Sequence, residues 1–451
     1  FVMGNLVGVN ELDLKSVEII PGAASALYGA NAFNGNLFMS TRSPFDDEGV
    51  SFYAKSGLTM QNAAGDNAFY DGGVRLAHRF SDKFAAKVSF SYLKGTDWYA
   101  TDQNAYSNAN TSVGEPDEIL PYRSSPDHDG INIYGDEVSL AALGLDLKKL
   151  AELGEAAGAL PPGASALVPD DNVARTGYLE QAFTDYNAES LKYDASFHYR
   201  PKGDDLEIIF NTRGGYGSTI YQGTNRYQIK NFLLQQHKLE IRNDDFFVRG
   251  YMTTEDAGDS YDMRFTGINI AKYKAEEWFS AYLEGYLGSV LGGSNNDEAH
   301  AAARLFADAD ETTTPRPGSE KFKELFDQIT ADGDLSTGSR FIDKTKMYVG
   351  EGNYNFSRLL DDKWDLQVGA SYRQYSLNSQ GTIFTDYDGS IDYGVVGAYV
   401  QAIKKLMDER LKLQASIRYD KTEFFDGNFS PRASVTYAAG DTRNHNFRRS
   451  Y

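Results

Sequence analysis

The chain's 451 residues include 41% hydrophobic and 13% aromatic side chains, no cysteine, and a formal net charge of −20. A large ordered structure is therefore within reach, whereas disulfides, thiolate metal sites, cysteine nucleophiles and a basic footprint for nucleic acid are excluded. A mean hydropathy of −0.49 and the lack of any uncharged apolar run of about 18 residues exclude a helical membrane protein, but not a barrel, whose strands hide their hydrophobicity in alternation.

The opening has no basic-then-apolar leader after Phe1, which fits a processed protein or an incomplete one, and of the two an incomplete chain is expected. Residues 1–43 read as a compact α/β fragment: a strand at Val17–Ile20, a turn at Pro21 and Gly22, a short helix at Ala23–Tyr28, glycine turns at Gly29 and Gly35, and a strand at Asn36–Thr41. Three later segments alternate cleanly. Phe84, Ala86, Val88, Phe90 and Tyr92 are apolar between Ala85, Lys87, Ser89 and Ser91. Leu191, Tyr193, Ala195, Phe197 and Tyr199 stand between Lys192, Asp194, Ser196, His198 and Arg200. Leu411, Leu413, Ala415, Ile417 and Tyr419 stand between Lys412, Gln414, Ser416, Arg418 and Asp420. So many charges on one parity would be costly in a dry core, and a wet lumen accommodates them.

Weaker copies at 50–58, 72–80, 204–215, 232–242, 246–254, 347–357, 364–376, 392–404 and 430–439 bring the total to about 12 strands. Tight polar connections, such as Asn243–Asp245 and Met407–Arg410, alternate with variable ones that include insertions at about 96–188 and 257–345. That sorting, with Tyr92, Tyr199, Phe246, Trp364 and Tyr419 near strand ends, is the pattern of periplasmic turns, extracellular loops and aromatic girdles. Inside the insertions, Leu143, Leu147, Leu150 and Leu153 repeat at helical spacing. A second helix is expected at Glu298–Phe306 with Asn296 as its cap, and a third at Glu320–Ile329. Acidic residues gather in the same insertions. Of these, Asp127, Asp129, Asp136 and Glu137 form a candidate calcium cluster, although their spacing is not that of an EF-hand. Zincin, nucleophile-elbow and P-loop motifs are absent and the six histidines are dispersed, so no enzyme is expected.

The string VEIIPGAASALYGANAFNGNLFMSTRSP, Val17 to Pro44, resembles the end of the plug domain of TonB-dependent receptors. In that pattern a strand, a glycine turn, an A-x-x-L-Y-G element and an N-G turn lead into the first barrel strand. The stretches DFFVRGYMTTEDAGDSYD, DGDLSTGSRFIDKTKMYVGEGNYNFS and YRQYSLNSQGTIFTDYDGSIDYGVVGAYVQA look like barrel segments of Bacteroidetes members of the family. The resemblance implies an all-β fold: a transmembrane antiparallel barrel of about 22 strands when complete, preceded by an α/β plug. Residues 1–45 would be the C-terminal part of the plug and 46–451 the N-terminal part of the barrel.

It further implies an outer-membrane importer of a Gram-negative bacterium, surrounded by lipid and lipopolysaccharide. Such an importer is energised by the TonB complex through an N-terminal segment not in this sequence, and it has no resident cofactor beyond loop calcium. Gly22, Leu27, Tyr28, Gly29, Asn34 and Gly35 would shape the plug. Lys192, Arg200, Arg213, Arg242, Arg373 and Arg418 are lumen-lining candidates whose positive charge suits an anionic substrate. Ala30–Gly35 reads ANAFNG where Sus-type glycan importers usually have an S-R-x-A-N-G-like turn. The departure favours a siderophore, haem, vitamin or similar chelate. The alternatives are a Sus-type glycan or peptide importer working with a surface lipoprotein, and a scaffold subunit of a larger outer-membrane complex.

Overall fold

A computed structural model describes residues 8–21, 35–106, 119–120, 123, 125–361, 364–440 and 445–450. Its first strands, β1 (Leu14–Pro21) and β2 (Gly35–Thr41), form a two-stranded antiparallel sheet. The helix expected at Ala23–Tyr28 lies outside the described residues, as do Gly22, Leu27, Tyr28, Gly29 and Asn34. Gly35 opens β2 at φ +144°, a conformation that a side chain would strain.

One 14-stranded antiparallel sheet dominates the rest. Its long strands are β3 (Gly49–Gln61), β4 (Gly65–Arg79), β5 (Phe84–Thr96), β6 (Asn187–Tyr199), β7 (Glu207–Gln222), β8 (Arg226–Arg242) and β9 (Phe246–Asp256). They continue with β10 (Lys346–Asn355), β11 (Asp365–Leu377), β12 (Ile391–Leu406), β13 (Leu411–Thr422), β14 (Asn428–Ala439) and β15 (His445–Ser450). Each pairs with its neighbour in sequence, so the sheet is a meander, and it stays open between β3 and β15. Every strand anticipated from alternation is present. One strand beyond those expected, β15, lies on the edge of β14. That strand is short and polar apart from Phe447, so periodicity gave it no signal.

The insertion between β5 and β6 and the one between β9 and β10 fold together. Helix α1 (Leu147–Ala156) belongs to the first insertion, and α2 (Met263–Ala271), α3 (Ala275–Leu291), α4 (Asn296–Asp308) and α5 (Glu320–Ala331) belong to the second. Their apolar side chains form one continuous core in which Leu147, Ala151 and Phe183 of the first insertion join Trp278, Tyr282 and Ala303 of the second. The cap of α4 is Asn295 rather than Asn296: its side chain accepts from Glu298 N while the Glu298 carboxylate accepts from Asn295 N. The leucine repeat of the first insertion is only half used, because Leu147 is buried while Leu143 and Leu153 remain exposed. No helix among the described residues is long and apolar enough to cross a membrane, which says nothing of crossing by strands.

Candidate functional site

Alternation along each strand and direct pairing across strands carry one set of side chains onto one face of the large sheet. Asp194 stands opposite Ser89 and Arg213, Arg213 opposite Gln236, Glu240 opposite Arg249, Arg249 opposite Glu351, and Glu351 opposite Ser371. Lys192, Arg242, Arg373 and Arg418 fall on the same face by the same parity, and Arg200 follows that parity just past the end of β6. The opposite face is apolar and exposed, with Phe52 at 79% and Leu239 at 52% of full exposure. A sheet with charges on its covered face and bare hydrocarbon on its open face is the inverse of a soluble sandwich, and it suits a wall between lipid and a hydrated lumen.

The N-terminal segment sits on the charged face. Asn10 caps a single 3₁₀ turn, Glu11–Asp13, by accepting from Leu12 N. That turn presents Asp13 to the wall, where Oδ1 accepts from Arg75 Nε at 2.8 Å and Oδ2 from Lys87 Nζ at 2.6 Å. All three side chains are almost wholly buried. Arg75 also donates to the carbonyl of Asp47 and Lys87 to that of Arg42, while Glu11 pairs with Lys55 at 2.7 Å. Phe45 extends the contact by packing its ring under the Arg200 guanidinium at 4.0 Å and edge-on to His198. An unpaired Asp13 would be very costly at this depth; two cations and a snug turn make it a rivet between segment and wall.

Farther along the face, the candidate cations divide into two groups. Arg200 pairs with Asp204, Arg242 with Glu207 and Arg418 with Asp420, and Arg418 also reaches the Ser371 hydroxyl. Glu207 is shared with His198, whose other ring nitrogen meets Ser196 Oγ. Lys192, Arg213 and Arg373 form no ion pair among the described residues, although Arg213 stands opposite Asp194. The sequence indicated the face of all six. It gave no sign of Asp13, whose partners lie 62 and 74 residues away, and no sign of Arg75 as its main anchor.

The loop carboxylates are brought together in part. Ligand oxygens of Asp129, Asp136 and Glu137 lie within 4.8 Å of one another, while Asp127 stands apart and exposed. Burial pushes the Asp136 carboxyl up to about 8, with the charges of Glu137 and Asp129 adding to the effect. Burial also raises Asp129 and Glu137, against the attraction of Arg264. Beside them a polar cavity of ≈ 390 Å³ opens toward Gln222 and Asn225 at the β7–β8 turn. The insertion is held there by Glu180, which accepts from Arg226 and from the Tyr134 and Tyr186 hydroxyls.

A family profile described as TonB dependent receptor-like, beta-barrel matches residues 156–451. No curated protein matches the chain. Among solved structures, a mutant of the ferric enterobactin receptor PfeA from Pseudomonas aeruginosa is similar over 95% of this chain and 47% of its own, at 11% identity and a TM-score of 0.50. The siderophore receptor PirA from Pseudomonas aeruginosa is similar over 95% of this chain and 47% of its own, at 10% identity and a TM-score of 0.46. The FrpB iron transporter from Neisseria meningitidis is similar over 98% and 52%, at 13% identity and a TM-score of 0.47. The chain thus spans about half the length of the structures it resembles.

Proposed function

The chain belongs to the TonB-dependent receptor family, whose members are β-barrel transporters of the Gram-negative outer membrane and not enzymes, and from that premise we propose that it forms the plug-to-barrel part of an active importer of a small anionic chelate. Residues 1–45 are read as the closing part of the plug and 46–451 as the barrel wall with its extracellular insertions. Gly22, Leu27, Tyr28, Gly29, Asn34 and Gly35 are read as the turns that let the plug fold inside the wall. The observation that carries the reading is the buried Asp13–Arg75–Lys87 junction, which seats the N-terminal segment on the charged face of the sheet. A passive pore has no use for a segment riveted into its lumen. An importer needs one held firmly enough to seal the pore and released only when force is applied from the periplasmic side by the TonB complex.

Substrate class follows from the cations left over. Lys192, Arg213 and Arg373 line the proposed path without an ion pair among the described residues, so they favour an anionic ligand such as an iron–siderophore complex. The ferric enterobactin receptor that shares this fold fits the same reading. The test is the abundance of the protein in outer membranes of iron-starved and iron-replete cells, followed by uptake of labelled ferric chelates with and without a protonophore. A strong rise on starvation and protonophore-sensitive uptake are expected. Unchanged abundance together with no chelate uptake would overturn the iron-chelate assignment and favour vitamin, peptide or glycan import, or a scaffold role.

A further inference from the structure

We propose that Asp129, Asp136 and Glu137 form a calcium site that fastens the first insertion against the start of α2 in the second. Three carboxylates come together around the short strand at Ile133–Tyr134, Asp129 ahead of it and Asp136 and Glu137 just after it, with oxygens within 4.8 Å of one another. For three atoms so spaced, some point lies no farther than about 2.8 Å from all of them, which accommodates the calcium–oxygen distance of about 2.3–2.6 Å. All three donors are carboxylate oxygens, the ligand type of hard divalent cations, with no nitrogen or sulfur to draw zinc or copper.

The second observation is independent of the clustering. Asp136 is 1% exposed, and although its Oδ2 accepts from Gly130 N at 2.9 Å, its Oδ1 is buried with no hydrogen-bond partner. An orphaned carboxylate oxygen beside two further carboxylates is what a protein avoids unless a cation completes the site. The guanidinium groups nearby do not complete it. Arg264 donates to Glu137 Oε1 at 2.7 Å, and Arg123 attracts Asp136 from farther off, yet Asp136 Oδ1 accepts from neither. The adjoining polar cavity leaves room for the water ligands that complete a coordination shell of six to eight oxygens.

The placement gives the ion a purpose. Arg264 belongs to the first turn of α2, so a cation neutralising Asp136 and Asp129 lets Glu137 keep Arg264 and locks the two insertions at that point. Extracellular calcium modules bind in the range of about 10⁻⁴–10⁻³ M, and the same range is expected here.

The experiment uses the intact receptor in detergent after chelation: terbium luminescence excited through aromatic residues, competition by calcium and magnesium, and thermal melting with and without calcium. One calcium-competable terbium site and a melting temperature raised by calcium are expected, both lost in Asp136→Asn and weakened in Asp129→Asn. Calcium binding that survives Asp136→Asn overturns the assignment. So does a wild-type protein that binds no calcium at 10 mM, and so does an Asp136→Asn variant that melts higher than wild type in chelator while wild type ignores calcium, because a shared proton then holds the carboxylates. These readouts do not depend on transport, so a failure of the import reading leaves them intact.

Discussion

At the scale of single residues, what matters on the charged face is which cations already have a partner. Asp13→Ala removes the only counter-charge that meets both Arg75 and Lys87 at hydrogen-bonding distance among the described residues, and leaves two cations in a dry junction. Breaking a buried pair in this way costs about 3–5 kcal/mol. The N-terminal segment of Asp13→Ala should therefore become protease-sensitive at temperatures where wild type resists, and a second change, Lys87→Met, should restore part of that resistance. If Asp13→Ala is digested at the wild-type rate, the junction does not hold the segment.

The partnered and unpartnered arginines of the wall should respond differently to charge reversal. Arg373→Glu changes a side chain without an ion pair among the described residues, so folded yield should be kept while uptake of an anionic chelate falls roughly tenfold, equivalent to about 1.4 kcal/mol. Arg418→Glu sets a carboxylate against Asp420 and should lower folded yield first. Equal effects of the two on uptake at equal yield would dissolve the distinction. Alternation disclosed the face of each residue because face depends only on position along one strand. It did not disclose partners, because those depend on register and on a segment distant in sequence.

At the scale of elements, the helices of the insertions draw their stability from one shared core, and two substitutions gauge it. Asn295→Ala removes the side-chain acceptor of the α4 capping box and should cost about 1 kcal/mol, read as a small drop in melting temperature. Trp278 is fully buried, donates to Asp308 Oδ1 at 3.0 Å and lies beneath the Arg175 guanidinium. Trp278→Ala should cost about 3–5 kcal/mol and expose both insertions to proteolysis together. Digestion confined to the second insertion would mean that the two do not fold as one unit. The signal for α3 was in the sequence: Trp278 and Phe279, Tyr282 and Leu283, and Tyr286 and Leu287 are adjacent pairs repeating every four residues, and all are buried. The shared core was not legible, since nothing in one insertion marks its fit to the other.

At the scale of the whole molecule, the decisive feature is the inversion of the sheet. Val50, Phe52, Leu76, Phe90, Phe197, Phe210, Leu239, Val248, Val400, Ile417 and Val435 all lie on its open face, and none is buried. In water so wide an apolar band would drive association, whereas in a bilayer it is the surface that holds the wall in place. Strands of 13 residues or more, such as β3, β5, β6 and β8, exceed the about 9–11 that a tilted strand needs to cross, so their ends reach beyond the lipid. A cation introduced on the open face therefore meets hydrocarbon, and its cost depends on depth. Ile417→Arg, midway along β13, should destabilise the complete receptor in lipid vesicles by about 2–4 kcal/mol, whereas Phe80→Arg, just past the end of β4, should cost about 0–1 kcal/mol. Reversible urea unfolding in vesicles measures both. An Ile417→Arg penalty no larger than that of Phe80→Arg would mean that the open face is not lipid-facing, and the wall would then have to be covered by protein.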